Sequence, residues 1–193
     1  SGQGNHWTPN NLDYRDSLPD SPANNFATFN ALNLPASAVL SEGNLKFTQT
    51  LNDRAAAGNM AISSGKWYFE VYYTAGTNPE TGLAPISQSY ANSGATGSTD
   101  KLLLITNSTG MRTPAWSTTD TTGLSAQTGT TILGFAVDAD NGKMFISANG
   151  TYFNSGDPAV GTNPQGTFDA DWLDQTGGGV VPFSGIYTGT SGE

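Results

Sequence analysis

The sequence contains no cysteine, which excludes disulfides, thiolate catalysis and zinc–sulfur sites. It contains a single histidine, His6, which excludes any site built on two. Basic residues are scarce: 7 Lys and Arg stand against 16 Asp and Glu, for a net charge of −9. Phosphate recognition needs clustered Lys and Arg, so nucleic acid is excluded as a partner, and so is docking on anionic lipid. No apolar run approaches the ~18 residues of a membrane-spanning helix, so no membrane insertion is expected. Charged residues make up only 12% of the chain and hydrophobic residues 36%. Uncharged polar residues and 24 glycines fill the gap, a composition that suits sheets and turns. At 193 residues one domain is the default, and a chain of this length buries roughly 70% of the surface its unfolded form exposes. The sequence begins with Ser1 and shows no signal-peptide pattern. The linker-like ends, Ser1–Gly4 and Thr188–Glu193, read as those of a segment cut from a longer chain, or of a short protein with trimmed ends.

Residues 1–25 are polar and carry Pro9, Pro19 and Pro22, which predicts an extended N-terminal arm with turns. Trp7, Leu12, Tyr14 and Leu18 are its main apolar residues. They are too few for a core, so the arm is expected to order only by docking on the domain or on another subunit. Short strands follow. Asn25–Ala31 carries Phe26 and Phe29 and reads as an early strand. Asn44–Thr50 alternates, with Leu45, Phe47 and Gln49 on one face. The strongest strand is Lys66–Thr74, where Trp67, Phe69, Val71 and Tyr73 share one face and Lys66, Tyr68, Glu70 and Tyr72 the other. Lys101–Asn107 holds Leu102, Leu103, Leu104 and Ile105 in a row, as in a strand covered on both faces. Thr131–Asp138 and Lys143–Ala148 are strands flanking Asp138–Gly142, and Asn141-Gly142 predicts a two-residue type I′ turn. Asp53–Met60 has alanines but also Gly58, and reads as strand or loop rather than helix. Val180–Tyr187 is a late strand interrupted by Pro182. The expected core is Trp67, Phe69, Val71, Leu133, Phe135, Val137 and Phe145. Short strands between Gly, Asn and Pro turns, with no crossover helices and no repeat of fixed period, predict an antiparallel β-sandwich.

Two stretches resemble the SPRY family. Gly65-Lys-Trp-Tyr-Phe-Glu-Val71 is similar to its GKWYWEV strand, and Leu133-Gly-Phe-Ala-Val-Asp-Ala-Asp-Asn-Gly-Lys-Met-Phe-Ile-Ser-Ala-Asn-Gly150 to its VGVALDxDNGKxxFSKNG hairpin. The resemblance covers about residues 26–190. It implies a concanavalin-like jelly roll, an all-β sandwich of two bent antiparallel sheets. Asp20–Asn30 and Thr151–Pro164 further resemble SPRY-like modules in structural proteins of tailed bacteriophages, often large fibre or appendage proteins. Family members usually continue into a final strand that this chain lacks. The implied organisation is an arm over residues 1–25 and a sandwich over residues 26–193 without its last strand, with an open edge that accepts a strand from another chain.

Several residues invite chemistry. Asp138, Asp140 and Gly142 suggest a calcium loop, but the EF-hand positions for Gly and Glu fall on Lys143 and Asn149, so a hairpin turn explains them and no metal is expected. Asp169, Asp171 and Asp174 form the densest acidic cluster, with Trp172 between them. A solvated acidic loop anchored by Trp172 is the plain reading; a weak calcium site or a glycosidase carboxylate pair are the others. All three acids are Asp, shorter than the Glu pairs of such enzymes, and no hydrolase activity is expected. Trp116 and Tyr90 sit in loop-like sequence. They read either as packed rings or as exposed faces for stacking on sugars. His6 lies in the arm beside Trp7 without a positioned partner for acid–base work. Asn107-Ser-Thr and Asn149-Gly-Thr are sequons that matter only in a eukaryotic secretory pathway.

The resemblance implies a noncatalytic structural or appendage module of a bacteriophage virion, of fibre, tail or capsid-decoration type, displayed on the extracellular particle surface. Its expected partners are other virion subunits or copies of itself and a host surface glycan, with Tyr90, Trp116, Asp169, Asp171 and Trp172 as candidate ligand-binding residues. No cofactor is expected. The alternatives are a lectin-like carbohydrate-binding module and an intracellular SPRY adaptor that grips a short peptide through its loops.

Overall fold

Alternation at period two becomes strand after strand in the computed structural model, which describes residues 26–51, 54–73, 75–87, 102–105, 110–112, 119–120, 131–168 and 178–192 and positions 10, 89 and 173. The strands are β1 (Ala38–Ser41), β2 (Lys46–Gln49), β3 (Arg54–Ala57), β4 (Lys66–Tyr73), β5 (Ala75–Pro85), β6 (Leu102–Ile105), β7 (Gly110–Arg112), β8 (Thr119–Asp120), β9 (Thr131–Asp138), β10 (Lys143–Ala148), β11 (Thr151–Tyr152), β12 (Gly166–Thr167) and β13 (Val180–Gly192). They form two antiparallel sheets. The larger runs β1-β2-β13-β5-β6-β7-β8, with β3 also on β13; the smaller runs β11-β10-β9-β4, with β12 also on β10. The chain is thus an all-β sandwich, as its sequence predicts. The arm, except Asn10, lies outside the described residues.

The core sits between the sheets. Leu133, Phe135 and Val137 of β9 meet Met144 and Ile146 of β10, Val71 and Tyr73 of β4, and Leu83 of β5. Phe69 of β4 stacks on Phe135 with ring centroids 4.8 Å apart, an offset aromatic pair worth ~1 kcal/mol beyond the area it buries. Three hydroxyls bridge the sheets inside this core: Tyr73 Oη contacts Thr81 Oγ1 and lies 3.2 Å from Ser184 Oγ. Burial raises the Tyr73 phenol well above its ordinary range; the Ser184 hydrogen bond opposes this and the Glu80 charge adds to it. A second apolar cluster of Ala55, Ala57, Ala84, Val181 and Phe183 lies on the other face of the larger sheet, where Phe183 pairs with Ala57 and Val181 with Ala84.

Three sequence expectations change. Trp67 is 38% exposed rather than part of the core, and Phe69 is half-buried, whereas Val71, Leu133, Phe135, Val137 and Phe145 are buried as expected. The β9–β10 connection is a four-residue loop, because Asp138 pairs with Lys143. Within it only Gly142 has positive φ, +60°, and its N–H reaches Ala139 O. The side chains explain the difference: Asp138 Oδ1 accepts from the Asn141 backbone and amide nitrogens, and Asp140 Oδ1 accepts from Gly65 N at 2.8 Å. The two-residue turn with positive φ at both positions lies one hairpin later, at Asn149 (+49°) and Gly150 (+81°), between the paired residues Ala148 and Thr151. The late strand, finally, runs through Pro182 to Gly192. Proline lacks a donor but not an acceptor, and Pro182 O receives Gly58 N at 2.7 Å.

Candidate binding groove

β4 has eight residues and, among the described residues, pairs only with β9. Its other edge meets no described strand. Edge strands of this length and apolarity are normally covered or charged, because their unpaired N–H and C=O groups are a template for another strand. Beside this edge lies a groove of about 480 Å³ lined by Phe26, Met60, Ile62, Trp67, Phe69 and Pro182. It continues into a cavity of about 110 Å³ beside Phe29 and Val71 and a depression of about 280 Å³ between Glu42, Tyr72 and Ile132. Leu45 and Glu70 line all three.

Each wall has a local cause. Gly65, at φ +79°, turns the chain into β4, and the β9–β10 loop clasps that turn through Asp140 and through Ala139 N to Gly65 O at 2.9 Å. Trp67 Nε1 donates to Ser64 O at 2.7 Å, which satisfies the indole and leaves its ring along the rim. Leu45 is presented by the β1–β2 turn, where Glu42, Gly43 and Asn44 all have positive φ. The opposite wall, residues 26–29, is stitched to its neighbours: Phe29 N donates to Asn44 O at 2.8 Å, and Thr28 and Asn59 exchange two bonds, Thr28 N to Asn59 Oδ1 at 2.9 Å and Asn59 Nδ2 to Thr28 Oγ1 at 2.8 Å. Phe29 and Phe47 stack obliquely behind it.

Glu70 is the carboxylate common to all three spaces. Tyr68 Oη donates to its Oε1 at 2.7 Å. The Tyr68 ring reaches across β9 at Gly134, where a Cβ would come within 2.5 Å of the phenol oxygen and 2.6 Å of Ser147 Oγ; only glycine leaves room for it. Burial, followed by the Glu70 hydrogen bond and charge, pushes Tyr68 up to about 12. Burial and the same charge raise Tyr152. At the start of β4, burial alone would raise Asp138, but the hydrogen bonds from Asn141 and the Lys66 charge, 3.6 Å away, hold it below the usual carboxylate range. The arrangement offers backbone hydrogen bonds along one edge, apolar pockets beside them and one anionic side chain. It fits an extended chain better than a polyhydroxylated ring.

The residues singled out from sequence as ligand-binding, Tyr90, Trp116, Asp169, Asp171 and Trp172, lie outside the described residues, as do His6, Asn107 and Asp174. Between the aspartates, Leu173 is helical and buried, packed into the main core. Among the described residues no group of three or more His, Asp or Glu side chains is placed to hold a metal, and no helix is long and apolar enough to cross a membrane. Phe26, Leu45, Met60 and Pro182 are not recognisable as one surface from sequence because they come from four separate segments. The available signal was the aromatic density of β4, which exceeds what one buried face can use.

No protein-family model and no curated protein matches this sequence. Solved structures do. The chain is similar to the PSpry domain of TRIM65, with a TM-score of 0.60 at 12% identity over 86% of this chain and 89% of that one. It is equally similar to the SPRY domain of human HERC1, with a TM-score of 0.60 at 14% identity over 86% of this chain and 95% of that one. The sandwich is therefore SPRY-like in fold.

Proposed function

We propose that this chain is a noncatalytic protein-interaction module that receives an extended peptide along the free edge of β4. The observation that carries the reading is the eight-residue edge, unpaired among the described residues, running beside a groove lined by Trp67, Phe69 and Phe26. Strand addition supplies affinity through main-chain hydrogen bonds and specificity through pockets for alternate side chains. The likeness to two SPRY domains supports a binding role over catalysis. The test is a screen of the full chain against a library of extended peptides, followed by Trp67→Ala. A buried aromatic anchor is worth ~2 kcal/mol or more at an interface, so the variant should lose peptide affinity at least thirtyfold while remaining cooperatively folded at the assay temperature. Retention of polysaccharides with no peptide bound would overturn the reading in favour of a lectin.

A second reading places the module on a bacteriophage particle. Its support is the resemblance of Asp20–Asn30 and Thr151–Pro164 to virion modules. In the fold the second stretch forms β11 and a 3₁₀ turn, Phe153–Ser155, followed by a loop in which Asp157 and Thr162 bridge. Neighbouring tail or baseplate modules in the full gene would support it; ubiquitin-ligase modules would count against it.

A further inference from the structure

The groove opens at Phe26, where the described chain emerges from the arm. Phe26 shares the space beside Trp67, and Phe29 the space beside Val71, so residues 26–29 run along β4 in the same direction on the far wall. Phe26, the first described residue of this segment, therefore stands at the Trp67 end of the groove. Leu18-Pro-Asp-Ser-Pro22 is a reversing sequence, and the seven residues 19–25 span up to ~25 Å when extended, ample for a return into the same groove. Upstream of that turn lies Asn10–Leu18, nine residues without proline between Pro9 and Pro19. This length matches the eight residues of β4. Leu12, Tyr14 and Leu18 fall on one face of an extended stretch and Asp13, Arg15 and Ser17 on the other. Asn10, in an exposed bend, marks the far end of the stretch.

We infer that residues 10–18 of the arm add, as an antiparallel strand of the same chain, to the edge of β4 that is unpaired among the described residues. Leu12, Tyr14 and Leu18 then lie over the apolar groove, and Arg15 lies opposite Glu70. Charge supports this register: apart from His6, Arg15 is the only basic residue of the arm, and Glu70 is the carboxylate common to the groove and its extensions. Setting Arg15 against Glu70 puts Asp13 opposite Tyr72 and Ser17 opposite Tyr68. Asp16 is the mismatch, because it falls on the apolar side near Phe69. The inference rests on the groove being a docking site for an extended segment, and it makes the arm the built-in occupant that any partner peptide displaces.

The cysteine-free sequence makes the register directly testable in the full chain. Opposed residues in an antiparallel pair lie ~4.5–5.5 Å apart at Cα, within disulfide reach. Asp13→Cys with Tyr72→Cys should form an intramolecular disulfide under mild oxidation, whereas Ser17→Cys with Tyr72→Cys, four residues out of register, should not. At ~10 micromolar protein the same-chain bridge should exceed the intermolecular one by roughly 100-fold, since a tethered segment acts at about millimolar effective concentration. Equal cross-linking of both pairs, cross-linking of neither, or a predominantly intermolecular bridge would each overturn the inference, the last by assigning the groove to a second copy's arm. A second measurement avoids cysteines altogether. Leu12→Ser with Tyr14→Ser should speed hydrogen exchange of β4 amides at least tenfold and leave β9 unchanged; no change in β4 would also count against the arm. Neither readout needs a partner, so their failure is distinct from failure of the peptide screen. If both readings hold, the Leu12→Ser, Tyr14→Ser chain binds its selected peptide tighter than the parent does.

Discussion

β9 and β4 lie side by side in the smaller sheet and share the same alternation, yet they are used differently. β9 is paired on both sides, by β10 and β4, and its inward residues Leu133, Phe135 and Val137 are buried along the whole length of the strand. Among the described residues β4 is paired on one side, and burial of its inward row grades along the strand: Trp67 is exposed, Phe69 half-buried, Val71 and Tyr73 buried. The sandwich closes over the C-terminal half of β4 and opens over the N-terminal half. Period two in a sequence therefore reports which side chains share a face. Whether the face is filled depends on what the fold brings against it.

Truncation along the two rows should show the largest contrast. Phe135→Ala, in the closed part, is expected to cost ~3–5 kcal/mol by denaturant unfolding, and Trp67→Ala, at the open end, less, ~1–2 kcal/mol, because the ring is 38% exposed but still packs in part and donates to Ser64 O. Similar losses at the two sites would mean that the groove is filled as tightly as the core. Next in size is the place where the Tyr68 side chain of β4 lies across β9. Gly134→Ala forces the Tyr68 ring off β9 and should cost ~1–3 kcal/mol, as overpacking does. In a Tyr68→Ala background the part owed to the phenol should vanish while the crowding by Ser147 Oγ, 2.6 Å from the added Cβ, remains, and a double-mutant cycle reads the difference. Gly150→Val is expected to cost ~1–2 kcal/mol from its left-handed backbone alone, because a Cβ there meets no neighbour. Gly142→Val should cost a similar amount at φ +60°. The smallest effect ties the start of β4 to the end of β9. Asp138 is held below its unfolded range, so its stabilisation is present above the unfolded carboxylate range and is lost as pH falls through the folded value. Asp138→Asn should lower the melting temperature at neutral pH, and the gap to the parent should close in acid.

The sequence made the strands legible where alternation and turn residues agreed. Thr131–Asp138 and Lys143–Ala148 have the boundaries the pattern predicts, and the shared face of Trp67, Phe69, Val71 and Tyr73 is real. Three features were not legible, each for a physical reason. Asn141-Gly142 and Asn149-Gly150 carry the same dipeptide, but the carboxylates of Asp138 and Asp140 bond the first into a longer loop, and no local rule weighs those bonds against the turn. Pro182 read as an interruption because the pattern does not show that its carbonyl, rather than a missing N–H, is what Gly58 needs. The groove was invisible because its lining is assembled from residues 26–29, 45, 60–62, 67–70 and 182, and only the folded topology makes them neighbours.

The placement of β13 has a consequence for how the protein acquires its structure. This strand is central in the larger sheet, pairing with β5 on one side and with β3 and β2 on the other. Its Ser184 reaches Tyr73 across 111 residues of sequence. During synthesis β1, β2 and β3 emerge early but have nothing to join them to β5 until the C-terminal region leaves the ribosome. The loop-closure entropy of that long connection is spent before the central ladder returns any of it. Folding is accordingly expected at the slow end for a domain of this size, on the order of milliseconds to seconds, with the larger sheet completing last.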